Sequence, residues 1–452
     1  MVKKNEIVEL LIEDIEFPNR AVGYIDDQKI IIKDGIANQK VKARITKKRK
    51  NKIEGTILEV VEHSPIEIPP RCKHFGTCGG CTYQNIPYQR QLDMKATQVK
   101  KLLDNVGIKD YCFLGISPSP LEYEYRNKME FSFGDEIKGG PLTLGMHKKG
   151  KFYEIVTTDE CAIVDEDFTH ILKTVLKYFQ DKKIAHYHKI SHQGVLRHLV
   201  IRKAYSTGQI LINLVTTSQQ EFELQEFKEM LLNLPLSGKI MGILHTLNDS
   251  VADVVQSDKT EILYGQDYIL EKILGLFFKI SSFSFFQTNS LGAEKLYSIV
   301  RDFTGSTKDQ IIFDLYCGTG TIAQIMAPVA KKVFGIEIVE EAMEAARENV
   351  ALNELDNCEF IAGDVMEKVS ELTLQPDLII LDPPRAGIHP KAIHKIINFT
   401  PKQFIYVSCN PKSLTNDLPI FVERGYKVIK VQCMDMFPHT PHVETIVLIE
   451  KK

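Results

Sequence analysis

The sequence reads as a multidomain α/β protein. A small OB-like β-barrel is expected over residues 1–62, a central α+β domain with a cysteine-rich cluster site over 63–280, and a Rossmann-like domain over 281–452. Three observations carry this. A chain of 452 residues exceeds one ordinary core. Its opening stretch holds only short apolar runs divided by Gly, Asp and Asn turns. Its last third alternates strand and helix in the rhythm of a doubly wound sheet.

The bulk composition, 44% hydrophobic and 25% charged, is that of a soluble globular protein. The net charge is only −3, so any nucleic-acid binding must come from local patches. No apolar run reaches membrane-spanning length, and Met1-Val2-Lys3-Lys4 does not open a leader peptide. A cytoplasmic protein with no membrane partner is expected. Nine cysteines there are not a disulfide framework: clustered ones suggest a metal, isolated ones a core or catalytic role.

In the first module, Ile7 to Ile15, Lys29 to Ile32 and Gln39 to Ile45 read as strands. Lys40, Lys42, Arg44, Lys47, Lys48, Arg49, Lys50 and Lys52 follow one another without an acid. The run suits a solvated hairpin and a phosphate-contacting arm of an RNA-binding barrel equally well. Pro65, Pro69 and Pro70 then stiffen a linker into Cys72, Cys78, Gly79, Gly80 and Cys81. Thiols packed this closely in a polar stretch form a ligand set. Cys161 is the nearest good fourth ligand and Cys112 its rival. Zinc and an iron–sulfur cluster both accept four thiolates, and spacing does not choose between them.

Tyr88 to Val106 has helical periodicity and ends at Gly107. Tyr125 to Phe133 and Leu196 to Lys203 alternate as strands. Their Arg126, Lys128, Arg197 and Arg202, with Tyr123, Phe131 and Phe133, suit a face that tracks phosphates and stacks bases, or an ordinary amphipathic sheet. His186, His188, His192 and His198 match no ligand pattern.

The strand Gln310 to Leu315 enters the Gly-rich loop Tyr316-Cys317-Gly318-Thr319-Gly320-Thr321, which falls short of the dinucleotide fingerprint. Glu337 ends the second strand, where an acid takes the ribose hydroxyls of an adenosine group. Asp364 ends the third and faces the adenine edge; Asp314 steadies the loop. Asp382-Pro383-Pro384-Arg385 ends the fourth. It is similar to the loop of amino-methyltransferases, but Arg385 stands where they keep an aromatic, which points to methylation of another atom.

The fifth strand delivers Ser408-Cys409-Asn410-Pro411, a polar loop holding a thiol. Uracil carbon 5 becomes nucleophilic only after a thiolate adds to carbon 6, and sulfur both attacks and leaves well. Cys409 suits that role; Cys317 is the rival but lies in the cofactor loop. Glu444 enters the last strand as the matching base, with His439 and His442 as alternatives.

Taken together, these residues resemble the RNA uracil-carbon-5 methyltransferase family, in its bacterial branch acting on 23S ribosomal RNA. The resemblance covers nearly the whole chain: a TRAM-like barrel, Cys72-x5-Cys78-Gly-Gly-Cys81, Phe285-Phe-Gln-Thr-Asn289, Asp314 to Gly320, Asp382-Pro-Pro-Arg385, Ser408-Cys-Asn-Pro411 and His442-Val-Glu444. It implies a class I methyltransferase domain, Cys409 as nucleophile and Glu444 as base. It implies that Gln287, Tyr316, Thr321, Glu337, Asp364 and Asp382 line the S-adenosylmethionine and uracil site, and that Cys72, Cys78, Cys81 and Cys161 hold a [4Fe–4S] cluster. It further implies a flipped target uridine and an early helix, about 87–107, packed on the catalytic domain; a monomer is expected. Transfer RNA as substrate, and a non-catalytic RNA-binding assembly protein, are the other readings.

Overall fold

The computed structural model describes residues 2–49, 52–251, 259–305, 308–371 and 374–452. The chain begins with β1 (Ile7–Leu11), β2 (Asp14–Glu16), β3 (Arg20–Ile25), β4 (Gln28–Lys33), β5 (Lys40–Arg49) and β6 (Lys52–Glu62), ordered β1-β5-β6-β4-β3-β2. β1 pairs with β5 and β2 with β3. Because β1 and β2 are halves of one segment bent at Ile12-Glu13, the sheet returns to the segment on which it began. Val41, Ala43 and Ile45 point into its core with Ile12, Ile30 and Ile32. Lys42 and Arg44 alternate outward, as the two-residue period of a strand requires.

The basic run is not a bare arm. Glu9 faces Lys40 at 2.7 Å, Glu59 faces Lys42 at 3.0 Å, and Glu54 faces both Lys47 and Lys52. Strand pairing thus brings acids from β1 and β6 to a stretch that has none of its own; Lys50 lies outside the described residues.

The cysteine-rich linker leads to α1 (Tyr88–Asn105) and β7 (Cys112–Ser117). The central domain follows as β8 (Lys128–Asp135), β9 (Leu142–His147), β10 (Ile155–Thr157), α2 (Glu166–Lys182), β11 (Leu196–Lys203), β12 (Gln209–Thr216), α3 (Gln225–Leu232), β13 (Lys239–Leu247) and β14 (Lys259–Gly265). Its seven-stranded sheet, ordered β10-β9-β8-β11-β12-β13-β14, packs against α2 and α3 around Phe131, Phe168, Phe179, Leu199 and Phe227.

The base-stacking, phosphate-tracking reading does not fit Phe131, Phe133, Arg197 or Arg202. Phe131 and Phe133 are core residues. Arg197 is buried and donates to the carbonyls of Asn248 (2.8 Å) and Ser250 (2.6 Å). Arg202 is buried too and donates to the carbonyls of Ser282 and Ser284. A guanidinium can leave water when its donors all find acceptors, so alternation of charge with apolar residues did not here mark a wet face.

The hairpin β15 (Tyr268–Ile273) and β16 (Leu276–Ser281) precedes the last domain. That domain runs α4 (Ser290–Thr304), β17 (Ile311–Leu315), α5 (Thr321–Met326), β18 (Lys332–Glu337), α6 (Glu340–Leu352), β19 (Cys358–Ala362), α7 (Val365–Glu371) and β20 (Leu378–Leu381). It continues as α8 (Pro390–Ile397), β21 (Gln403–Ser408), α9 (Pro411–Glu423), β22 (Tyr426–Met434) and β23 (Glu444–Lys451). Its sheet is ordered β19-β18-β17-β20-β21-β23-β22-β7. The first five strands are parallel and β23 inserts antiparallel between β21 and β22.

β7 completes this sheet, parallel to β22, although the central domain separates the two in sequence. α1 packs beside it, with Val99 and Leu103 in the same core as Phe404 and Leu418. β21 shows why its sequence is continuously apolar: Phe404 and Tyr406 face that core, while Ile405 and Val407 face the opposite one. Each such side chain contributes about 1.5–3 kcal/mol on burial. The strand order reverses between β17 and β20, so a crevice opens beyond their carboxyl ends.

Candidate active site

The loops after β17, β20 and β21 lie at the carboxyl ends of neighbouring strands, at that crevice. After β17, Tyr316 (φ 65°), Gly318 (φ 53°) and Gly320 (φ 69°) turn the chain in the left-handed region before Thr321 starts α5. A Cβ on Gly320 would lie 2.4 Å from the Phe360 ring, so only glycine fits. Asp314 is fully buried beneath the loop and accepts from the Ala323 amide at 2.9 Å. Burial, then the neighbouring Asp382, push its carboxyl well above the usual range.

Glu337 accepts from the amides of Gly318 (3.1 Å) and Ile338 (2.9 Å), which ties the end of β18 to the Gly-rich loop. Asp364 accepts from the Met366 amide at 2.7 Å at the start of α7. Phe285 leans over Gly318, and its carbonyl accepts from the Thr319 hydroxyl at 3.4 Å. Gln287 is held by Asn127, whose backbone amide donates to the Thr288 carbonyl and whose side chain donates to the Gln287 carbonyl. Cys317 is pushed up strongly by burial and packs beneath the loop, against Gly335.

On the other side of the crevice, Cys409 follows β21 and Glu444 begins β23. Ser408 and Thr445 are the last register partners of β21 and β23; Cys409, in the loop, and Glu444, on the strand, are the next residue beyond each. Glu444 is only 5% exposed. Burial, then Asp382, raise its carboxyl to about 8, with Arg385 opposing. Burial, then Glu444 and Asp382, raise the Cys409 thiol to about 11, while the Arg385 guanidinium bonds to it and opposes. Burial alone lifts Asp382 to about 7.

The histidines sit differently. His439 Nδ1 accepts from Gln91 Nε2 at 3.1 Å, and His442 Nδ1 accepts from Arg385 Nη2 at 3.2 Å. Burial holds both rings down at about 4, so they are neutral near pH 7 and weak bases. Tyr297 on α4 was not among the sequence candidates. It is buried, bonds to Gln287, and has Asp382, Asp314 and Glu444 as neighbours. Its helical spacing marks it only as core, so no signal in the sequence separates it from Leu296.

The second cluster lies in the central domain. Cys72, Cys78, Cys81 and Cys161 line one cavity of about 100 Å³ with Gln84 and Arg126. All are free thiols, whereas Cys112 is exposed on β7. Burial raises Cys81 to about 11 and Cys161 to about 12. Among the described residues no group of three or more His, Cys, Asp or Glu side chains is placed to hold a metal ion. Four thiols around one cavity are a donor set that both zinc and an iron–sulfur cluster accept.

The sequence model of the tRNA (uracil-5-)-methyltransferase family matches residues 87–452, from α1 to the end of β23. The chain belongs to this family. As an S-adenosylmethionine-dependent RNA methyltransferase it has close relatives. It is 55% identical to an uncharacterized RNA methyltransferase of Clostridium tetani over 451 residues, covering 100% of this chain and 99% of that protein. It is 52% identical to another from Caldanaerobacter subterraneus, covering 99% of each. Its fold is similar to the Pyrococcus abyssi tRNA (uracil-54, C5)-methyltransferase in complex with S-adenosyl-L-homocysteine, with a TM-score of 0.77 and 25% identity over 97% of this chain and 100% of that one. Among the described residues no helix is long and apolar enough to cross a membrane.

Proposed function

We propose that this methyltransferase modifies carbon 5 of uridine in 23S ribosomal RNA, with Cys409 as nucleophile and Glu444 as base. The observation that carries the assignment is the placement of the two on adjacent strand ends, one step beyond the Ser408–Thr445 pair. The Cys409 sulfur adds to carbon 6 of a flipped uracil, and carbon 5 then takes the methyl group from the sulfonium of S-adenosylmethionine. Glu444 removes the carbon-5 proton, and the carbon–sulfur bond breaks to release the thiolate. A buried carboxyl raised to about 8 has the proton affinity this step needs near neutral pH.

Gln287, Tyr316, Thr321, Glu337, Asp364 and Asp382 are assigned to the methyl donor and uracil. Tyr316 and Thr321 flank the Gly-rich loop after β17, Glu337 and Asp364 stand at the ends of β18 and β19, and Asp382 follows β20. Cys72, Cys78, Cys81 and Cys161 are assigned to a [4Fe–4S] cluster, on the strength of the thiol-lined cavity. Such a cluster supplies a structural cross-link, since methyl transfer moves no electron. The amino-terminal strands 1–62 are read as a TRAM-like RNA-binding barrel, and the enzyme as a cytoplasmic monomer.

A transfer-RNA substrate is the second reading, favoured by the Pyrococcus abyssi enzyme, which acts on uracil 54 of tRNA. The deciding experiment incubates wild-type and Cys409→Ala protein with S-adenosylmethionine and each unmodified RNA. 5-Methyluridine is then sought by mass spectrometry of nucleosides. Product from ribosomal RNA with wild type alone supports the proposal. Product from transfer RNA alone moves the substrate. Product from the variant removes Cys409 from the mechanism, and wild-type protein that fails to bind S-adenosylmethionine favours an assembly protein.

A further inference from the structure

The loop from Asp435 to Val443 joins β22 to Glu444, and four successive carbonyls in it are held by four distant parts of the chain. The Met436 carbonyl accepts from Asn289 at 2.9 Å, and that of Phe437 from Lys95 at 3.3 Å. The Pro438 carbonyl accepts from the Tyr125 hydroxyl at 3.1 Å. The His439 carbonyl accepts from the amides of Thr82 (2.7 Å) and Tyr83 (3.0 Å), just after Cys81. A loop running over solvent would leave such groups to water.

The buried stripe of α1 supplies the strongest of these ties. It carries three polar side chains, Gln91, Lys95 and Gln98, among its apolar ones. Gln98 donates to the Ile15 carbonyl of the first module at 2.7 Å. Lys95 and Asp435 form an ion pair at 2.6 Å with both side chains at 0% exposure. Gln91 accepts from the His439 amide at 2.9 Å and donates to His439 Nδ1 at 3.1 Å. His439 itself sits at φ 64°, a conformation a residue with a Cβ adopts only when its surroundings impose it.

A fully buried ion pair is a poor way to gain stability, because desolvation offsets most of the attraction. Its directional contacts do specify one arrangement of α1 against the loop, which apolar packing would leave degenerate. The loop continues through His442, bonded to Arg385, directly into Glu444.

We propose that Lys95 and Gln91 are positioning residues for the base: through Asp435 and His439 they hold the 435–443 loop so that Glu444 stands opposite Cys409. This rests on the reading of Glu444 as base. Substrate-side residues remain intact when the pair is removed, so addition and methyl transfer proceed while proton removal lags.

The test compares wild type, Glu444→Gln, Gln91→Leu and the double variant Lys95→Met/Asp435→Leu, which leaves no unpaired buried charge. Turnover, the covalent protein–RNA adduct after denaturation, and hydrogen exchange across Met434 to Thr445 are measured on each. Both the double variant and Gln91→Leu are expected to lose about 100-fold in turnover, the scale of a small misplacement. They should accumulate adduct as Glu444→Gln does, and exchange the loop amides faster. Wild-type turnover and exchange in a folded double variant overturns the proposal. So does slow turnover without adduct when Glu444→Gln does trap one, because that is loss of structure rather than of the base. If Glu444→Gln traps none, the base assignment fails by itself, and unchanged loop exchange in the double variant still overturns the positioning.

Discussion

Cys409 and Glu444 lie one step beyond Ser408 and Thr445, the last register pair of β21 and β23. Antiparallel pairing puts such neighbours on one face of the sheet. Burial and then the Glu444 carboxylate raise the thiol, while burial and then Asp382 raise the carboxyl.

Exchanging Glu444 for Gln should leave cofactor binding intact and trap a methylated protein–RNA adduct, visible as a gel-shifted species resistant to denaturant. Stability should respond to pH as well. The folded carboxyl sits at about 8, above the ordinary value of about 4.3, so the folded state holds a proton the unfolded state has lost. The stability from the neutral carboxyl is complete below about pH 4.3 and is lost as pH rises toward 8. Thermal denaturation between pH 5 and 9 should therefore show a shallower decline in Glu444→Gln than in wild type.

The Cys409 thiol offers a separate readout. In the free enzyme it is pushed up to about 11, so alkylation at pH 7.5 should be slow and accelerate with pH. Above pH 8, where the Glu444 carboxyl is ionised, Glu444→Gln should speed it, and Arg385→Gln, which deletes the opposing cation, should slow it. Peptide mass spectrometry at Cys409 separates this signal from the other thiols.

Gly320→Ala places a methyl group 2.4 Å from the Phe360 ring at φ 69°. A destabilisation of about 1–3 kcal/mol is expected from the strain, with a larger loss of S-adenosylmethionine affinity because the loop must shift. Calorimetric titration and thermal melting measure the two; unchanged affinity would show that the loop does not hold the cofactor.

Cys81→Ser and Cys161→Ser, purified without oxygen, should each lose iron and acid-labile sulfide and melt at lower temperature. Iron content equal to wild type would remove the thiol-lined cavity from the cluster assignment.

Much of this was legible in one dimension because it is local. Strand alternation shows in Val41, Ala43 and Ile45, and a doubly buried strand shows in Phe404 to Val407. Gly318, Gly320, Asp382 and Cys409 lie at strand ends, where a short motif is its own context. The burial of Arg197 and Arg202 was not legible for the converse reason. The carbonyls that satisfy them come from residues 248, 250, 282 and 284, and nothing in β11 announces those partners.

The sequence by itself determined which residue types stand at each strand end, and hence the family and its chemistry. Tertiary structure alone decided that β7 completes a sheet begun beyond residue 300 and that Lys95 reaches Asp435 across 340 positions. The physical reason is range. Propensity, periodicity and turn chemistry act within a few residues, whereas a buried polar group takes whichever distant partner the packed chain brings within about 3 Å.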